Sequence, residues 1–420
     1  MINRFHVSSF KSFSDGFTFV KNEPFISDHS NITSTVVGKN NAGKTNFIEA
    51  FDFLKNIVLR KISTDAIRDV RNLDFPSSEP ISFEIDFTTY RQEQELNFIY
   101  SIIIDSEKSF VLSETLKLCT PDAETTIIET LGPTRIFRSV GSDNIIKIGR
   151  SKKTILAHLF SEHPGIDKLN LEFFYQKFEN SRNFVKTNEF IIFFMSWFID
   201  LKVITPKNNI VGSFHPERLN ELFDCFDLGV KLRSTIDSDP LIYKMCEDSI
   251  KNSRTEDECR SLEIGTKAKT LSVFDSRTNI MYYINYIDGN MRIMHFEMLR
   301  KGTWVPINSS DLSEGVQRFV YLFSILTEER QGLTFIVDEL DRKIHTNLTL
   351  KFIELFLQMN RNQQLIFTTH ETEVLNSKFV DPDNLWIIDK EEGMGSYLYA
   401  CPYVRLDRNL RDLYIDEKLI

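Results

Sequence analysis

The stretch VVGKNNAGKTNFIEAF, Val36 to Phe51, holds Gly38, four residues, and then Gly43-Lys44-Thr45. Glycines at that spacing let a backbone curl until successive N–H groups point at one anion, and a following helix adds its positive end. A lysine in the next place reaches terminal phosphate oxygens, and a threonine hydroxyl takes a hard cation such as Mg²⁺. Asn40, Asn41 and Asn46 fall within the same phosphate-binding run. With glycine at 16 of 420 positions, about 6% lysine and about 12% serine plus threonine, chance supplies this pattern in roughly half a per cent of chains of this length.

Three further groups of residues fit phosphate chemistry. LTFIVDEL, Leu333 to Leu340, is an apolar run that ends in Asp338-Glu339. An acid at the end of a buried strand holds Mg²⁺ through water, and the neighbouring carboxylate orients and deprotonates an attacking water. LIFTTHETEVL places His370 just past another apolar run, within reach of a terminal phosphate. In DLSEGVQRF, Ser313-x-Gly315 opens a helical pattern in which Val316, Phe319, Val320 and Phe323 share one face. A serine hydroxyl with the free N–H groups of a helix start is an anion site. It duplicates the glycine loop if both serve the same phosphates, but it makes sense as a cap on phosphates bound by another copy of the chain.

These residues require strands and helices to position them. ITSTVVG is a β-branched run that stops at Gly38, as a buried strand does before a tight turn. Phe47, Phe51, Leu54 and Val58 follow at steps of four, three and four, one apolar helix face. RFHVSSF and FTFV read as strands near the start. ISFEIDFTTY, LNFIYSIIID and SFVLSETLKL alternate as antiparallel strands. TLSVFD, IMYYINYI and MRIMHFEML return to strand character, and after residue 310 apolar strands alternate with helices. The fold class expected is α/β, with a P-loop core split in sequence. Residues 1–60 and 266–420 form its two parts, 61–150 an antiparallel β lobe, and 151–265 a mainly helical insertion. Within that insertion, Ser249 to Lys269 reads as a polar loop. FIIFFMSWFI, Phe190 to Ile199, is too short to span a bilayer and ends at Asp200. It is a buried helix or, around Trp197, a face on which a partner docks.

The bulk composition narrows the classes. The chain is 41% hydrophobic and 26% charged, an ordinary soluble composition. A net charge of −10 argues against a protein living by clamping duplex DNA, although local basic stripes remain compatible with it. Five cysteines, none in a CxxC pair, argue against a disulfide framework or a structural zinc site. MINRFHVSSF lacks a basic-then-apolar secretion signal, so a cytoplasmic setting is expected, with no membrane partner.

The order of P-loop, LSEG, FIVDE and TTH resembles ABC-type ATPases of the RecF/SMC branch, and SSFKSF, Ser8 to Phe13, looks like their N-terminal strand and turn. The closer resemblance is to single-chain bacterial ATPases of phage-defence and abortive-infection systems, which are similar to the ATPase half of OLD-family nucleases. DELDRKIH, and LWIIDKEEGMGSYLY followed by RLDRNLRDLY, carry it. The resemblance implies ATP and Mg²⁺ as ligands and two heads that sandwich ATP in a homodimer or higher homo-oligomer. It implies that Lys44 binds phosphate, Thr45 and Asp338 serve Mg²⁺, Glu339 is the base and His370 senses the γ-phosphate. Ser313 and Gly315 would act across the interface, and Asp341 to His345, DRKIH, looks like the family's D-loop region, with Asp341 at the nucleotide. Gln92 and Gln94 are the candidates for the family's glutamine loop. The 50 residues after His370 are too few for the nuclease domain of OLD enzymes. A separate effector, nuclease or toxin, is therefore expected, and the 151–265 segment near Trp197 is its expected dock. A RecF-like clamp on DNA and a nucleotide-gated scaffold with little turnover stand as alternatives.

Overall fold

The computed structural model describes residues 1–21, 30–59, 67, 69–70, 79–91, 94–105, 107, 110–120, 123–131, 134–138, 145–148, 189–205, 216–234, 244, 271–275, 280–287, 290–359, 361–375, 382–391 and 395–400. In chain order the first strands and helix are β1 (Ile2–Ser8), β2 (Phe17–Val20), β3 (Ile32–Gly38) and α1 (Lys44–Val58). Six strands follow: β4 (Ile81–Arg91), β5 (Gln94–Asp105), β6 (Phe110–Cys119), β7 (Glu124–Leu131), β8 (Thr134–Arg138) and β9 (Ile145–Ile148). The middle of the chain supplies α2 (Glu189–Asp200), β10 (Lys202–Ile204), α3 (Pro216–Cys225) and β11 (Val230–Ser234). Then come β12 (Leu271–Asp275), β13 (Ile280–Ile287), β14 (Asn290–Arg300) and β15 (Thr303–Ile307). The last part holds α4 (Glu314–Leu326), β16 (Thr334–Val337), α5 (Thr346–Gln358), β17 (Gln364–Thr368), β18 (Leu385–Glu391) and β19 (Gly395–Ala400).

A six-stranded sheet in the order β10-β16-β17-β3-β18-β19 divides the molecule. All its pairings are parallel except β18 with β19. Its central strands β16, β17 and β3 are buried along their whole length, as in sheets covered on both sides. Ile336, Ile366, Trp386 and Ile388 point into one core with α1, α2 and an eight-stranded antiparallel sheet. Phe335, Val337, Leu365, Phe367, Leu385 and Ile387 point into a second core with α3, α4, α5 and a five-stranded sheet. Neighbouring residues of one strand alternate between the cores, which is the period-2 rule acting on a fully buried strand. The expected α1 face is the buried one: Phe47, Phe51, Leu54 and Val58 are all at most 1% exposed, and Phe51 stacks on Phe5 of β1 at 4.0 Å between ring centroids.

The sheets cut across the expected segments in three places. β1 and β2 join the antiparallel sheet, with β1 paired to β4, although they precede the P-loop. Their alternation explains this: Phe5 and Val7 are buried while Arg4, His6 and Ser8 face outward, a half-solvated pattern that a sheet covered on both faces does not accept. β10, from the segment expected to be mainly helical, is the edge strand of the parallel sheet and pairs with β16. β11, from the same segment, pairs with β14, so β11–β15 together form the five-stranded sheet, separate from the parallel one. The polar stretch 249–269 lies outside the described residues, as does the ending after residue 400.

α2 follows the first of the two readings of its sequence, a buried helix. Trp197 is 5% exposed, lies parallel to Phe87 at 3.9 Å between centroids, and sits beside Phe194 and Phe198, which reach Tyr100. A helix apolar on nearly all sides is one that packs inside. Among the described residues, no helix is long and apolar enough to cross a membrane. Trp197→Ala is expected to lower stability by about 3–5 kcal/mol, as removal of a large buried ring does. Urea unfolding measures this, and unchanged stability would return Trp197 to the surface.

Candidate functional site

The site forms where the carboxyl ends of three adjacent strands, β3, β17 and β16, come together, which is where open α/β sheets take ligands. After β3 the chain enters the glycine loop. Asn41 has φ 67° and Gly43 has φ 116°, and the left-handed turns fold the loop's N–H groups toward one point. Gly43 also has no room for a side chain, since a Cβ there meets Ser396 Oγ at 2.7 Å and Ser12 Oγ at 2.9 Å. Gly38 is closed by backbone, with Ile388 O 2.1 Å from its Cβ position.

Lys44 opens α1 and folds back over the loop. Its Nζ donates to Gly38 O at 2.6 Å and Lys39 O at 2.9 Å. Burial pushes its pKa down from the ordinary lysine value, against the pull of Asp338, Glu339 and Asp341. Its ammonium is thus poised on two carbonyls that phosphate oxygens can replace.

Opposite the loop, Asp338 is 1% exposed and accepts from Thr368 Oγ1 at 2.8 Å. Burial pushes its carboxyl pKa up, and hydrogen bonds from Thr368 and Thr45 pull the other way. Glu339 follows at φ 49°, a left-handed conformation that costs a non-glycine residue on the order of 1 kcal/mol. Its N–H donates to Thr368 Oγ1 at 2.8 Å, and the next N–H, Leu340, donates to Thr368 O at 2.9 Å. The turn aims the Glu339 carboxylate at the cleft, with Oε2 on Arg342 Nη1 at 2.8 Å and Oε1 3.9 Å from His370 Nε2.

A cavity of about 430 Å³ is lined by Ser12, Asn40, Asn41, Gly43, Lys44, Thr45, Asn46, Asp338, Glu339, His370 and Lys390. Nine of the residues expected from sequence therefore meet in one place. Gly38 sits beneath it. Asp341 is not among the lining residues, and its carboxylate instead accepts from the His370 N–H at 3.3 Å. Ser313 and Gly315 also lie elsewhere, at the start of α4. Ser313 caps that helix, accepting from Val316 N–H at 3.3 Å, and a Cβ on Gly315 meets Lys343 O at 2.5 Å. Gln92 falls outside the described residues, and Gln94 opens β5 opposite Arg91, away from the lining.

Sequence reading passed over four contributors. Thr368 ties the acidic turn to β17. Ser12 accepts from Asn46 Nδ2 at 2.7 Å, and Ser12 O accepts from Ser396 N–H at 2.6 Å, which fastens the N-terminal turn to the loop. Lys390, on β18, adds a second ammonium to the lining. Arg318, on α4, lies behind the acidic pair with Nη2 2.7 Å from Asp338 O. Serines and threonines at such places carry no spacing signal, and a charge inside a helix reads by default as a solvated face.

These groups fit a nucleotide with Mg²⁺. The curled loop and two ammonium groups suit phosphates. One hydroxyl and one buried carboxylate suit a hard cation that keeps waters and phosphate oxygens as its other ligands.

Residues 34–376 match the model of the family described as "AAA domain, putative AbiEii toxin, Type IV TA system". The chain belongs to that family. The match spans more than four-fifths of its length and runs from β3 past His370. By family, and by the glycine loop at the end of β3, the protein carries a P-loop AAA domain. Among solved structures, an SMC head bound to the C-winged helix domain of ScpA is 11% identical, covering 95% of this chain and 97% of that one at a TM-score of 0.44. The SMC head domain from Thermotoga maritima is 13% identical, covering 96% and 99% at a TM-score of 0.35. Neither is close enough to bear on function. No curated protein matches.

The raised Asp338 pKa has a testable sign. Below its ordinary value of 3.8 the group is neutral whether folded or unfolded and imposes no burial cost. As pH rises through the folded value the buried carboxylate must ionise, and stability falls. Asp338→Asn is therefore expected to melt higher than the wild type at pH 7 and equally at acidic pH, while losing Mg²⁺-dependent turnover. An equal or lower melting temperature at pH 7 would contradict the burial cost.

Proposed function

We propose that the chain hydrolyses ATP with Mg²⁺, that two copies share each nucleotide, and that this cycle controls a separate effector, a nuclease or toxin, in bacterial anti-phage defence. The convergence of Lys44, Thr45, Asp338, Glu339 and His370 on one cavity carries the ATPase reading. Lys44 leaves its carbonyls for the β- and γ-phosphates. Mg²⁺ supplies charge neutralisation at the phosphates, with Thr45 and Asp338 as its protein ligands. Glu339 Oε1 orients a water and takes its proton as the water oxygen bonds the γ-phosphorus and the bond to the bridging oxygen breaks. His370 holds a γ-phosphate oxygen, and the products are ADP and phosphate.

The position of Ser313 and Gly315 supports the shared site. A helix start with a hydroxyl favours anions, and this one lies outside the cavity of its own chain, so a phosphate held there would come from a second copy. The family description names a putative toxin of a toxin–antitoxin system, which supports an effector-linked role over DNA maintenance, as does the net charge of −10.

Lys44→Ala is expected to weaken ATP binding at least about tenfold, the worth of a charge-assisted contact. Glu339→Gln is expected to retain binding, lose about 10²–10⁴-fold in kcat, and accumulate as an ATP-bound oligomer by native mass measurement. Wild-type turnover in Glu339→Gln would overturn the base assignment. Co-purification of the wild-type chain from its own host, with and without ATP, tests for the effector, and duplex DNA as the sole ATP-dependent partner would contradict it.

A further inference from the structure

Arg318 lies five residues beyond Ser313 on α4 and is 8% exposed. Its guanidinium turns away from solvent to the back of the acidic pair. Nη2 donates to Asp338 O at 2.7 Å and to Glu339 O at 3.2 Å. The front of the same turn is held by Thr368, which accepts from Glu339 N–H and from Leu340 N–H. The left-handed Glu339 is thus gripped on both sides, its carbonyls by α4 and its amides by β17. α4 touches this region a second time through its first turn, where Gly315 abuts the Lys343 carbonyl and Glu314 pairs with Lys343 at 3.3 Å. One rigid helix therefore joins the anion-attracting end at Ser313 to the peptide groups that aim the base.

Arg318 Nε is buried and has no acceptor. A lysine in its place offers a compact ammonium without the planar fork.

We propose that Arg318 is a positioning residue that transmits occupancy of the α4 start by the partner's nucleotide to the orientation of Glu339, so that each copy's base is set when the other copy's ATP is in place. The inference rests on the shared-site reading given above. ATP binding and pairing of two copies precede this step and do not need it.

The test uses the full chain with Arg318→Gln and Arg318→Lys. Both are expected to bind ATP with an affinity within about twofold of wild type and to form the ATP-dependent oligomer in the Glu339→Gln background. Arg318→Gln is expected to lose at least about tenfold in kcat with KM little changed, and Arg318→Lys to recover part of that loss. A wild-type kcat in both variants overturns the proposal. So does a melting temperature so far reduced in both that neither binds ATP, because that result assigns Arg318 to packing alone. Ser313→Ala separates this inference from the reading beneath it. If that variant turns over at the wild-type rate, the shared site itself fails. If it is inactive while both Arg318 variants are normal, only the role of Arg318 fails.

Discussion

The buried carboxylate of Asp338 is the constraint around which the rest is arranged. A carboxyl group with almost no solvent must be met by hydrogen bonds or charge. It is met by Thr368 from the neighbouring strand and Thr45 from the P-loop helix, and its own backbone carbonyl is held by Arg318 from α4. Those contacts draw together segments near residues 45, 318, 338 and 368, and the parallel pairing of β3, β17 and β16 holds them in register. Its remaining cost is tolerable because the group faces a cavity into which a cation fits. A site of this kind is less stable empty than filled, which gives ligand binding a direct effect on the fold.

The two cores divide the work. The core around α1 fixes the loop: Phe47 and Phe51 pack into the aromatic cluster of Phe5 and Phe17, and the N-terminal turn reaches α1 through Lys11 and Glu49. The second core fixes α4 against the far face of the same sheet through Phe319 and Phe323. The sheet edge between the cores carries chemistry from both. Motion of α4 relative to the loop is then a motion of one core against the other, with the acidic turn at the boundary.

Legibility in the sequence followed locality. The P-loop, the acidic pair and His370 are each set by a few neighbouring residues, so their spacing was enough. Phe47, Phe51, Leu54 and Val58 announced the buried face of α1. Sheet membership was harder, because alternation in RFHVSSF says that a strand is half-solvated but not which strand it pairs with 80 residues away. β10, at three residues, is too short for any period to register. Arg318 was invisible because its partners are backbone carbonyls twenty positions on, and backbone atoms leave no mark in side-chain spelling. At Trp197 the signal was legible: a helix apolar on nearly all sides reads as a packed one, and Trp197 is buried.

The claim that two chains complete each nucleotide site is tested most directly by mixing two inactive proteins. A Lys44→Ala chain keeps its Ser313, and a Ser313→Ala chain keeps its P-loop. In a symmetric pair each mixed dimer regains one whole site, so equal mixing should restore ATP-dependent pairing, with one nucleotide retained per mixed dimer by native mass measurement. No recovery above the two separate variants, under conditions where the chains exchange partners, would contradict the account.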